Sequence, residues 1–239
     1  MTTLVKILVS ILLSIFCCSC NVAFNGIKGQ GEVLKKEKTI HQNFNAVKAS
    51  RGLDVILTNN SDKKVIIEAN QNLHEHIKVY VEDNTLYITA DENIYFADKK
   101  NVIVSYDKLQ KVHVNSGASI SSNEAIIQQD LDITATSGAD LDLKIKAETV
   151  NSSATSGAMI NLEGKVTNHK AKAIHGANIR ADNLLSILSE AKATSGANIR
   201  IYAKNEFKGK ATSGASIIYY GNPEKVSEND NYGGSVSKN

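Results

Sequence analysis

One phrase, Ser-Gly-Ala-x-(Ile/Leu), recurs six times in this chain and limits what it can fold into. The copies begin at Ser116, Ser137, Ser156, His175, Ser195 and Ser213, with His175 the one departure from Ser. Their glycines, from Gly117 to Gly214, are spaced 21, 19, 19, 20 and 18 residues apart. A near-constant period of this size marks a stacked architecture in which each repeat buries its apolar face only against its neighbours. The expected fold is therefore all-β: a parallel β-helix, or solenoid, with about 20 residues per coil. A β-sandwich of hairpins explains the alternation equally well, but not the fixed phase of the glycines.

Alternation assigns the two faces. Around Gly196, the residues Ala193, Ser195, Ala197, Ile199 and Ile201 share one parity, and Thr194, Gly196, Asn198, Arg200 and Tyr202 share the other. In an unbroken strand these sets face opposite sides. The first set is small or aliphatic in nearly every copy and is expected inside, Ser included. By the same parity His175 is expected to point inward. A bulge at the glycine would break the pattern on its N-terminal side, so the Ala-x-(Ile/Leu) half is the firmer guide. Glycine suits a backbone with positive φ or a close approach of two chains.

Composition agrees with a narrow core. Apolar residues make up 42% of the 239, but aromatics only 5%, and Trp is absent. A net charge of +2 gives no basic excess of the kind nucleic acids require. Residues 1–19 read as a signal peptide, with Lys6 ahead of an apolar run, Ile7 to Phe16, that is too short to span a bilayer. The three cysteines, Cys17, Cys18 and Cys20, cluster at its end. Ser19-Cys20 resembles the lipobox of bacterial lipoproteins, although Cys17 stands where Leu is usual. Cys20 is the expected lipidation site, and the mature chain would then hold no disulfide. Residues 20–40 read as the lipidated Cys and a tether, 41–110 as a β-rich N-terminal cap, 111–222 as the solenoid and 223–239 as a tail.

Several stretches carry a resemblance. Phe44-Asn45-Ala46-Val47-Lys48-Ala49-Ser50-Arg51-Gly52-Leu53-Asp54-Val55 is similar to the opening of the bacterial head GIN domain, a family named for auto-transporter adhesins. So are Ala69-Asn70-Gln71-Asn72-Leu73, the Val81 to Leu86 hairpin, the Ser-Gly-Ala phrases and the closing Tyr220-Gly221-Asn222-Pro223. The resemblance covers roughly residues 40–225. It implies a secreted or lipid-anchored β-helical protein and brings no catalytic residues with it.

Chemistry is sparse. The Ser-Gly-Ala serines have no recurring His or Asp partner and no nucleophile-elbow pattern. His74-Glu75-His76 lacks a third ligand at a useful spacing and reads as a solvated turn. Asp130, Asp132, Asp140 and Asp142 raise the question of calcium between two coils. Aligned on the glycines, one outer column reads Asp142, Asn161, Arg180, Arg200, Ile218, and its neighbour includes Asn178 and Asn198. Arg180 and Arg200 would oppose each other on adjacent coils unless something neutralises them. With Asn178 and Asn198 they form the candidate binding residues, for anions or glycans. No catalytic residue, metal or cofactor is assigned. The expected function is a non-catalytic, adhesin-like envelope lipoprotein, tethered to the outer membrane by lipid and contacting glycans or envelope proteins. The alternatives are a polysaccharide-acting β-helix enzyme, or a structural or sensory periplasmic scaffold.

Overall fold

The structure, a computed structural model, describes residues 26–60 and 62–239. Residues 1–19, read as a signal peptide, and Cys20 lie outside the described residues. Within them the chain winds into a β-solenoid of about seven turns of roughly 19 residues. Tight turns of one kind delimit the coils. Each has two successive residues with positive φ, as in Ser137 (56°) and Gly138 (68°), or Ser195 (56°) and Gly196 (70°). Such a pair is the signature of the type I′ turn. Two coil edges without the Ser-Gly-Ala phrase share this geometry, Arg51-Gly52 (58°, 69°) and Tyr232-Gly233 (50°, 75°), as does the hairpin turn Asp83-Asn84 (46°, 57°).

The strands before the turns form one parallel sheet and the strands after them form another. Before the turns, Ala46–Ala49, Lys111–Val114 and Ile126–Thr136 pair side by side, and the stack continues to Lys225–Asn231. After the turns, Asp54–Asn59 and Ser119–Ser122 begin a ladder that ends at Ser235–Lys238. In the middle coils one strand runs round the far bend from sheet to sheet, as in Asp140–Thr155, Met159–Ile174 and Asn178–Thr194.

The turn geometry corrects one expectation. The first two residues of every phrase are exposed, while the apolar residues on either side of them, alanine in all but Val114, are buried. Ala154 and Ala158, for example, are both 0% exposed, with Ser156 outside. Two consecutive positive-φ residues reverse the chain, so parity does not carry through the turn. Ser therefore does not line the core, and His175 (φ 55°) points outward as a turn residue. An added Cβ at Gly138, Gly157 or Gly196 would meet nothing within 4 Å. The glycine is thus required by its dihedral and not by close packing. The stacked turns also bond to one another: Gly138 N–H donates to Ser156 O (3.0 Å) and Gly157 N–H to His175 O (3.2 Å). Any residue in this backbone state can supply the carbonyl, and so His175 is accommodated.

Beyond the turn the expected inner set stands. Ile120, Leu141, Ile160, Ile179, Ile199 and Ile217 form one buried ladder. Opposite it, Ala135, Ala154, Ala173, Ala193 and Ala211 stack in register. Alanine fits there because a two-residue turn holds the sheets close at this edge.

Both ends of the stack are covered. At the N-terminal end, Thr85–Ala90 and Lys100–Tyr106 lie under Ala46–Ala49 and Asp54–Asn59, out of chain order. Antiparallel strands then close the edges: Ile77–Glu82 on the first sheet, and Lys64–Asn70 followed by Val33–Thr39 on the second. Val33–Thr39 comes from the stretch read as a tether. Its lysines suit a solvated outermost edge. Fully buried Asn70 clasps this cap, donating to Gly31 O (3.0 Å) and Asp98 Oδ2 (2.7 Å). Residues 225–238, read as a tail, add strands at the other end, where Glu228 and Asp230 continue inner ladders and stay exposed. A polar terminal repeat keeps the end soluble.

Candidate functional site

The residues singled out on the outer face do meet. Asn178 pairs with Asn198 and Arg180 with Arg200, in register on neighbouring strands of the sheet that follows the turns. Asn198 Nδ2 donates to Asn178 Oδ1 (3.1 Å), and Asn178 Nδ2 donates to Gly176 O (3.3 Å). The amides are thereby held upright beside the turn. Arg180 and Arg200 are exposed and belong to no ion pair among the described residues. They lie on adjacent strands, whose backbones are about 4.8 Å apart.

Shallow depressions flank them. One of about 170 Å³ is lined by Asn178, Arg180, Asn198, Arg200, Ser216 and Ile218. Another, of about 290 Å³, runs from the arginines towards Asp142, Glu163 and Asp182. Asp182 sits at an irregularity: the register slips by one residue between Asn161↔Arg180 and Glu163↔Asn183. An extra residue of this kind bends a strand and re-aims its side chains. The column thus runs from Asp142 to Arg200 with a change of sign along the solenoid axis. It offers fork-shaped donors for a carboxylate, sulfate or phosphate, and amides for hydroxyls.

The other candidates separate. Asp130 and Asp132 lie on Ile126–Thr136, before the turn, while Asp140 and Asp142 follow it on the opposite sheet. The four carboxylates do not converge. Asp132 Oδ1 instead accepts from Asn151 Nδ2 (2.9 Å). His74 and His76 sit at a short 3₁₀ helix, Gln71–Glu75, and diverge: His74 Nε2 lies 3.2 Å from Leu34 O, and His76 Nδ1 lies 3.0 Å from Asp91 Oδ1. Among the described residues no three His, Cys, Asp or Glu side chains group for a metal.

Two features escaped the sequence reading. The first is a buried polar cluster near the far bend. His169 is 1% exposed and Ser152 3%. Ser152 Oγ lies 2.9 Å from His169 Nε2, and His169 Nδ1 has no partner. Nearby, Ser189 Oγ donates to Tyr202 O (2.7 Å), and Ser186 bonds both Ser189 and Tyr202. Burial pushes the imidazole down to about 4, so it is neutral at pH 7. A Ser beside a His suggests a nucleophile and base. Here both are sealed inside and no third group orients the ring. The second is a set of lysines on the sheet before the turns. Counting back four residues from each glycine would have found it, but the parity there was in doubt.

The family described as "Putative auto-transporter adhesin, head GIN domain" matches residues 43–223. The chain belongs to this family. Three crystal structures share its fold. A putative adhesin from Bacteroides fragilis is 20% identical, with a TM-score of 0.83 over 90% of this chain and 100% of the other. A putative adhesin from Parabacteroides merdae is 20% identical, with a TM-score of 0.71 over 89% and 98%. A putative lipid binding protein from Parabacteroides distasonis is 16% identical, with a TM-score of 0.74 over 89% and 99%. At these identities the likeness concerns the fold alone. No curated protein matches the chain. Among the described residues, no helix of this head GIN protein is long and apolar enough to cross a membrane.

Proposed function

We propose that this head GIN protein is a non-catalytic binding module of the cell envelope, anchored through lipid on Cys20 to the outer membrane. In this reading Arg180 and Arg200, with Asn178 and Asn198, contact short anionic oligosaccharides on the face that follows the turns. The observation that carries it is the pair of arginines in register on adjacent strands, with no carboxylate among the described residues in an ion pair with either. Such a pair repels itself until an anion bridges it. Work without chemistry is supported by the sealing of Ser152 and His169 inside the core. It is also supported by the divergence of Asp130 and Asp132 from Asp140 and Asp142.

The test is binding of the mature protein to an array of carboxylated and sulfated oligosaccharides. The double variant Arg180→Ala, Arg200→Ala is expected to lose binding by roughly tenfold or more, the scale of one charge-assisted contact. Unchanged binding by that variant overturns the assignment of the face. Turnover of acidic polysaccharides by the wild type would replace the binding module with an enzyme.

A further inference from the structure

The opposite sheet carries a second charged surface. Four residues before each turn glycine, the side chains form one outward column in register: His113, Thr134, Ser153, Lys172, Lys192 and Lys210. The column two residues earlier reads Lys111, Asp132, Asn151, Lys170, Glu190 and Lys208. In three successive coils the first column is therefore all lysine, at the strand spacing of about 4.8 Å. Lys192 and Lys208 each hold a glutamate of their own strand at 2.6 Å, Glu190 and Glu206. Lys170, Lys172 and Lys210 have no ion pair among the described residues and are exposed. Like charges in line on neighbouring strands destabilise a sheet. The arrangement thus stores repulsion that an external anion would relieve.

The surface is also shaped. Where the column shortens to Thr134 and Ser153 the sheet sinks into an open groove of about 500 Å³. Lys111 and His113 stand on one side of it, and Lys170, Lys172 and Lys192 on the other. Its floor carries Thr134, Ser153 and Asn151, which suit sugar hydroxyls; the two carboxylates that also line it are engaged, Asp132 by the Asn151 amide (2.9 Å) and Glu190 by Lys192 (2.6 Å). The groove and the lysine column are continuous along the solenoid axis.

We propose that this face binds a linear anionic polysaccharide lying along the axis. Its carboxylates rest on Lys172, Lys192 and Lys210, and its uncharged groups pack over Thr134, Asn151 and Ser153. The repeat of the ladder matches a polymer with a charge on every sugar better than a single compact anion. A bilayer fits less well. The exposed apolar residues Leu185, Ile187 and Leu188 lie to one side, at the far bend, and none stands among the lysines. The proposal does not depend on the arginine face, which belongs to the other sheet.

The experiment is calorimetric titration of the mature protein with polygalacturonate, at low and at high salt. The wild type is expected to bind, and to bind more weakly as salt screens the exposed charges. The triple variant Lys172→Gln, Lys192→Gln, Lys210→Gln is expected to lose affinity by at least roughly tenfold, as several charge-assisted contacts go. Its melting temperature should change little, because the exposed Lys192–Glu190 ion pair lost with the repulsion contributes only weakly. Arg180→Ala with Arg200→Ala should leave this titration unchanged, which separates the two faces. Equal affinity in the triple variant overturns the proposal, as does no binding of polygalacturonate by the wild type. So does lysine-dependent binding of phosphatidylglycerol–phosphatidylcholine vesicles in its place.

Discussion

The turn edge and the far bend of each coil follow opposite rules. At the turn edge the same backbone is repeated from Arg51-Gly52 to Tyr232-Gly233. It is open to solvent and tolerates Ser, His, Arg or Tyr in the first position, since only the dihedral matters. At the far bend each coil differs. Gly164 (φ 122°) would place a Cβ 2.0 Å from Ile145 O. The buried ladder there passes through Leu131, Val150, His169, Ser189 and Phe207. Phe207 stacks on Tyr219 with ring centroids 4.3 Å apart. The lesson is that repetition marks where packing is least demanding, and departures from it mark where packing is specific.

The sharpest way to break this contrast is one substitution made on both edges. Gly164→Ala drives a Cβ into the backbone of the preceding coil at a positive φ, and should cost at least about 3 kcal/mol. Urea denaturation reads the loss, and a cost near that of a turn glycine would end the distinction. Acid is the next largest effect. The folded pKa of His169 lies at about 4 and its ordinary value is 6.5, so below 6.5 the unfolded chain binds a proton that the folded chain refuses. Stability present above pH 6.5 should drain away as pH falls towards 4, by up to about 3 kcal/mol. His169→Val, which copies Val150 one coil earlier, should flatten that part of the pH profile; an identical profile in the variant would show that other groups cause it. The smallest effect belongs to the turn edge. Gly157→Ala meets nothing within 4 Å and pays only for its left-handed backbone, about 1–2 kcal/mol. A larger loss would mean that the open edge is packed after all.

Much of the candidate face was legible, for a physical reason. Asn178, Arg180, Asn198 and Arg200 follow their glycines by two and four residues, where the chain is regular strand and parity holds. The lysine column precedes its glycines. Its side was readable only once the reversal at the turn was known. His169 occupies a position filled by Leu131 and Val150 in earlier coils, and local alternation cannot tell a buried imidazole from an exposed one.

By itself, then, the sequence determined the period, the all-β class and the inward Ala-x-(Ile/Leu) half of each coil. These follow from spacing and alternation, which are properties of neighbouring residues along the chain. The tertiary structure alone decided that Ser and His175 face solvent, that Thr85–Tyr106 lies beneath Ala46–Asn59, and that Lys172, Lys192 and Lys210 stand in line. Each of these depends on which strand lies beside which, and that is set by stacking contacts between residues far apart in the chain.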